Sequence, residues 1–139
     1  PDATQAISTG GGGAVPGEVT FDLNPLLSAG ITRIGVGRAD GSGTLRVGAL
    51  ALTSDTKLQT GSGDIVFTDA ITGSHELAVE SATGTIELQG VTIDTGSAAQ
   101  SYQGALRLAG SNTLRGGSVC LGGTVDATVA GADGLHLCR

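Results

Sequence analysis

Cys120, Cys138, His75, His136 and a thin scatter of acids are the side chains in this sequence best suited to chemistry. Cys120 and Cys138 lie 18 residues apart, with His136 two positions before the second. A dithiol redox motif wants C-x-x-C, and a zinc site wants a full tetrahedral set, which two cysteines and one histidine do not supply. The chemistry left to Cys120 and Cys138 is a disulfide or, in a reducing compartment, two buried free thiols. His75, between Ser74 and Glu76, reads as an exposed turn histidine rather than a general base. Asp64 with Asp69, or Asp126 with Asp133, are carboxylate pairs of the type that glycoside hydrolysis uses. Aspartates flanked by Gly, Ser and Thr are first of all turn formers. Gly61-Ser62-Gly63-Asp64-Ile65 and Gly131-Ala132-Asp133-Gly134-Leu135 loosely match the calcium nonapeptide, a site that needs consecutive copies because adjacent turns share each ion. Gly35-Val36-Gly37 and Gly41-Ser42-Gly43 are not followed by a helical pattern, so they are not phosphate loops. No Ser-His-Asp arrangement can be argued. The expectation is a non-enzyme with no metal and no cofactor.

The elements that must position these residues are short strands. Apolar residues come in pairs one residue apart: Ile65 and Phe67, Leu77 and Val79, Ile86 and Leu88. Period-two alternation marks strands that bury one face. Glycine accounts for 25 of 139 residues, the aromatics are only Phe21, Phe67 and Tyr102, and Trp is absent. A sandwich usually fills the gap between its sheets with large rings. Val, Ile, Leu and Ala suit the narrower interior of stacked coils.

Net charge is −6, with Lys57 and six arginines as the cations. Without a basic cluster, nucleic acid is not expected as a partner. The longest apolar run, near Val47 to Leu52, is too short to span a bilayer, so no membrane insertion is expected. The chain begins Pro1-Asp2 and contains no Met, which reads as a processed mature protein or a piece of a longer one, with signal removal as one route. The expected location is extracellular, at a cell surface.

Three zones follow one another. Residues 1–17, with four consecutive glycines, read as a Gly-rich N-terminal arm, either a leader or a segment packed on its own domain or a neighbouring copy. Residues 18–139 read as a single β domain. Its first strands are expected in EVTFDL, ITRIGVG and TLRVGALAL, with one helical turn at Leu26-Leu27-Ser28-Ala29. From there to Arg139 the chain is repetitive. Leu45-x-Val47, Ile65-x-Phe67, Ile86-x-Leu88 and Leu106-x-Leu108 recur every 20 or 21 residues, close to one coil of a β-solenoid. The fold class expected is all-β, a parallel β-helix with coils of about 20 residues; the alternative is an antiparallel β-sandwich built from hairpins of about ten residues.

Gly63-Asp64-Ile65-Val66-Phe67 through Val79, then Thr95-Gly96 with Gln100, Tyr102, Gly104 and Leu108, resemble the β-strand repeats of large bacterial exoproteins. These are the filamentous-haemagglutinin-like and autotransporter-type adhesins. The resemblance covers residues 61–117. It implies a right-handed parallel β-helix and a role in adhesion or surface display. Some family members end in a cysteine pair near the C-terminus. If Val119-Cys120-Leu121 and Leu137-Cys138 sit on successive rungs, their Cα atoms stand about 4.8 Å apart, inside the disulfide window. Such a bridge stabilises by about 3 kcal/mol in the chain-entropy model.

The function expected is therefore an adhesin segment or a self-assembling fibre subunit. The alternative is a calcium- or carbohydrate-binding β module of a secreted protein. The long polar and aromatic loops of a binding module are missing, and the threonines are too scattered for an ice-binding ladder. Open β-structures have unpaired edges that recruit other strands, and only 14% of residues are charged to block them. The expected partners are copies of the chain itself, head to tail, or a host or cell-surface glycan or protein, with the N-terminal arm contributing a strand.

Overall fold

A computed structural model describes residues 32–127, together with the backbone of three strands outside that range. Two of these come first, β1 (Ile7–Thr9) and β2 (Val19–Phe21). Five coils then follow, each contributing strands to three stacks. The first coil holds β3 (Arg33–Gly37), β4 (Leu45–Val47) and β5 (Leu50–Leu52). The second holds β6 (Asp55–Thr60), β7 (Ile65–Phe67) and β8 (Ile71–Gly73). In the third, β9 (Leu77–Gln89) runs through two stacks before β10 (Thr92–Asp94). In the fourth, β11 (Ala99–Ala109) does the same before β12 (Ser111–Arg115). The last holds β13 (Ser118–Leu121), β14 (Val125–Ala127) and β15 (Gly134–Cys138).

Every strand pairing is parallel, so the antiparallel alternative is excluded and the chain is a parallel β-solenoid. The first stack runs β3, β6, the start of β9, the start of β11, then β13. The second runs β2, β1, β4, β7, the ends of β9 and β11, then β14. The third runs β5, β8, β10, β12, β15.

Like side chains stack in columns because each coil repeats the alternation of the one before. The register aligns Val36, Leu58, Val79, Tyr102 and Leu121 in the first stack. It aligns Leu45, Ile65, Ile86, Leu106 and Val125, and beside them Val47, Phe67, Leu88, Leu108 and Ala127, in the second. Leu50, Ile71, Ile93 and Leu114 line up in the third. Ile65, Phe67, Ile71, Ile86, Leu88 and Ile93 are wholly buried, each such side chain contributing about 1.5–3 kcal/mol. The narrow interior is filled by aliphatic residues with one ring from Phe67 and one from Tyr102, as the composition implies.

Two strand assignments needed correction. TLRVGALAL is not one strand: it breaks at Gly48-Ala49 into β4 and β5, which belong to different stacks. Conversely, the apolar pairs Leu77/Val79 and Ile86/Leu88 share one long strand whose burial alternation lapses at Ala82–Thr83. A strand that loses its alternation mid-way has turned a corner. The helical turn expected at Leu26–Ala29 lies outside the described residues, as does all of the arm 1–17 except strand β1.

Candidate functional site

The corner between the first and second stacks is built from glycine. Gly43, Gly63, Gly84, Gly104 and Gly123 each stand two residues before the first inward residue of the second stack. A Cβ on Gly63, Gly84 or Gly123 would overlap the carbonyl oxygen of the glycine one coil earlier. On Gly104 it would come within 2.5 Å of the Ser81 carbonyl oxygen. Gly104 also has φ +138°, a conformation L side chains rarely adopt. It alone spans the corner that takes four residues, 81–84, in the coil before. Thr60 and Ser81 close the inside of this corner, their hydroxyls donating to the carbonyls of Gly41 and Gly63 at 3.0 Å.

The opposite corner, from the third stack back to the first, is plugged by polar side chains. Gln100 is 1% exposed. Its amide nitrogen donates to the carbonyls of Ile93 (3.0 Å) and Arg115 (2.6 Å) and to Thr95 Oγ1 (3.2 Å). Its amide oxygen accepts from the Tyr102 hydroxyl at 2.8 Å. Burial pushes the Tyr102 phenol well above its ordinary pKa. Asn112 plays a similar part between the second and third stacks, accepting from the Val91 N–H (2.9 Å) and donating to the Gly110 carbonyl (3.0 Å). The sequence singled out Gln100 and Tyr102 only through the resemblance and Asn112 not at all, because an isolated Gln or Asn in a polar strand carries no signal of burial. The glycine column did carry one: a Gly two residues before each apolar pair that enters the second stack from Leu45 on, every 19 to 21 residues.

The outer surface gathers charge on the first stack. Arg33, Asp55, Lys57, Glu76 and Ala78 line a shallow groove. Lys57 Nζ lies 2.9 Å from Glu80 Oε2, and His75 Nδ1 lies 3.5 Å from Asp55 Oδ1. The Asp55 carboxylate also accepts the Glu76 N–H at 3.1 Å. His75 thus has a partner that the sequence did not reveal, on the rung above. Exposed pairs of this kind contribute less than about 1 kcal/mol each. Arg38 grips Asp40 through Nε and Nη2, both at 2.9 Å, and this hydrogen bonding holds the Asp40 carboxyl below its usual range.

The other predicted candidates make local backbone or neighbouring side-chain contacts, Asp64 and Asp69 beside β7 and Asp126 within β14. Asp64 precedes β7 and caps the next rung, accepting the Thr85 N–H at 2.9 Å. Asp69 lies beyond the far end of the same strand, accepting from Thr68 Oγ1 at 3.4 Å. Asp126 accepts the Ala127 N–H at 3.0 Å, whereas Asp133 and most of the segment 131–135 lie outside the described residues. Among the described residues no three His, Cys, Asp or Glu side chains stand close enough together to hold a metal ion. No helix among them is long and apolar enough to cross a membrane.

Cys120 is a free, exposed thiol on β13 in the first stack, opposite Ser101. Cys138 is on β15 in the third stack, opposite Arg115, and its side chain lies outside the described residues. The successive-rung placement that motivated a bridge between Cys120 and Cys138 is therefore not the one observed. Eighteen residues carry the chain from the first to the third stack of one coil, because 122–133 intervene.

A comparison with known protein families finds no matching family model. Neither the curated proteins nor the solved structures yield a match.

Proposed function

We propose that this chain is a structural, non-catalytic solenoid segment of an extracellular bacterial surface protein, an adhesin stalk or a subunit of a surface fibre. The observation that carries this reading is the continuity of the columns. Apolar side chains and corner glycines repeat through five coils, so each coil presents the next with nearly the surface it received. Such a stack lengthens by repetition, at about 4.8 Å per coil, and its stability is a sum of neighbour contacts. That is the mechanical property a stalk needs.

The residues behind the likeness to filamentous-haemagglutinin-like and autotransporter-type repeats support the same reading. Gly63 and Gly104 belong to the corner column, Ile65, Phe67 and Leu108 to the apolar columns, and Gln100 and Tyr102 to the polar plug. The likeness is thus one of architectural positions.

Antibodies raised against the purified chain test the location. They should label intact cells of the source organism, and protease added outside those cells should remove the signal. Labelling only after lysis would overturn the surface role.

A further inference from the structure

The second stack ends in two strands, each with one neighbour among the described residues: β2, which pairs β1, and β14, which pairs β11. Both carry the same five-residue pattern, glycine followed by two apolar residues at alternate positions. It reads Gly17-Glu18-Val19-Thr20-Phe21 at one edge and Gly123-Thr124-Val125-Asp126-Ala127 at the other. The strands between repeat it, with β1 as the exception because Gln5 stands where the others have glycine and Thr9 where they have the second apolar residue. The register puts Val19 in line with Ile7 and Leu45, hence in the column that ends on Val125. Phe21 falls by the same register in the column that ends on Ala127.

The first and last of the five coils differ in cover. In the first coil, Ile34, Val36, Leu45, Val47, Leu50 and Leu52 are all buried. In the last, Val119 and Leu121 are half-buried, Ala127 is exposed, and Val125 is 46% exposed, the large apolar side chain most open to solvent among the described residues. In the column above Val125, Leu45, Ile65, Ile86 and Leu106 are at most 3% exposed. An apolar step this abrupt, beside unpaired backbone groups, is a template for another strand.

We propose that β14 of one copy pairs in parallel with β2 of a second copy, Val125 opposite Val19 and Ala127 opposite Phe21, so that the ladder continues head to tail. This rests on the structural reading above and names the contact by which copies would join. Three features single out β2 as the occupant. It is the opposite edge of the same ladder, so strand direction and hydrogen-bond polarity match without rearrangement. Its sequence carries a glycine, Gly17, two residues before Val19, the spacing at which Gly123 precedes Val125. The register would bring position 21, a phenylalanine, opposite the small Ala127. The contact is heterologous and does not close on itself, so it yields open filaments rather than dimers.

Sedimentation velocity on the full chain, over a range of concentrations, should show mass rising stepwise with concentration. Val125→Asp, at a position already exposed, should weaken association by about tenfold or more, equivalent to about 1.4 kcal/mol, with an unchanged circular dichroism spectrum. Register is tested by oxidation, in a background of Cys120→Ser and Cys138→Ser. Mixing a Val125→Cys population with a Val19→Cys population should give cross-linked pairs, since opposed residues on neighbouring strands lie about 4.8 Å apart. Thr20→Cys, one residue out of phase, should not cross-link with Val125→Cys. Val125→Cys linking to itself in preference would show tail-to-tail dimers and overturn the proposal. So would a wild-type chain that stays monomeric at its highest soluble concentration; a high frictional ratio in that monomer would leave the stalk reading standing.

Discussion

The corner from the first stack to the second and the corner from the third back to the first turn the same chain through the same coil by opposite means. At the first, side chains are removed: glycine in every coil lets successive turns close on one another's carbonyls. At the second, a side chain is inserted: Gln100 fills the turn and donates to two main-chain carbonyls, Ile93 and Arg115, the latter shared with the Thr95 N–H. The glycine corner recurs because the constraint is the rise between coils, which is the same everywhere. The plugged corner is a local answer, made by Gln100 in one coil with its own set of partners. Periodic constraints leave periodic sequence; local ones do not.

The sharpest way to break this comparison is to put a side chain where the column forbids one. Gly84→Val forces its Cβ into the Gly63 carbonyl oxygen, and backbone on both sides leaves little room to give. We expect destabilisation of about 3 kcal/mol or more, at the upper end for overpacking. Gly35→Ala is the control, since a Cβ there meets nothing within 4 Å, and it should fall within about 0.5 kcal/mol of wild type. Equal losses in urea unfolding would mean that glycine at this corner is not set by coil spacing.

The plugged corner should respond to loss rather than addition. Gln100→Leu keeps most of the volume but takes one donor from the carbonyls of Ile93 and Arg115 and leaves the buried Tyr102 hydroxyl without its acceptor. Unsatisfied buried groups of this type cost about 1–3 kcal/mol, so a loss of about 2 kcal/mol is expected. A neutral result would show that water replaces the amide.

This contrast also explains what was legible beforehand. Coil length, the parallel solenoid and the apolar pairs Leu45/Val47, Ile65/Phe67, Ile86/Leu88 and Leu106/Leu108 could be read because burial on one face imposes alternation. What could not be read was which pairs share a stack: Ile65/Phe67 and Leu77/Val79 look alike but lie in the second and first stacks. That depends on where the chain turns, and Gly48-Ala49 breaks a strand while Ala82–Thr83 merely bends one. The Cys120 and Cys138 spacing could not place them for the same reason, as a count near one coil says nothing of which stack each end reaches. The partnership of His75 with Asp55 crosses rungs and leaves no local trace.

Tyr102 sharpens the comparison through pH. Its folded pKa is raised above the ordinary 10.0 by burial. As pH climbs past that value, the unfolded chain therefore loses its proton first. The stability due to a neutral Tyr102 is complete below about pH 10 and shrinks above it, by about 1.4 kcal/mol per pH unit. Because the chain has a single tyrosine, tyrosinate absorbance should appear together with unfolding and not before. Tyr102→Phe should cost about 1 kcal/mol at neutral pH through the unpaired Gln100 oxygen, yet flatten the alkaline loss. Tyrosinate forming in the folded chain near pH 10 would contradict the burial of the plug.

The smallest effect belongs to the outer surface, and it decides whether the corners or the charged groove hold the coils together. Lys57 and Glu80 stand 2.9 Å apart on neighbouring rungs, each about half exposed. Their attraction acts through water, is screened by salt, and is offset by the entropy of holding two long side chains still. Lys57→Ala should therefore change stability by no more than about 0.5 kcal/mol, less still at high salt. A loss comparable to that of Gln100→Leu, vanishing in high salt, would mean that the charge ladder on the first stack contributes to coil stacking as much as a corner does. The difference between corner and surface would then have to be redrawn.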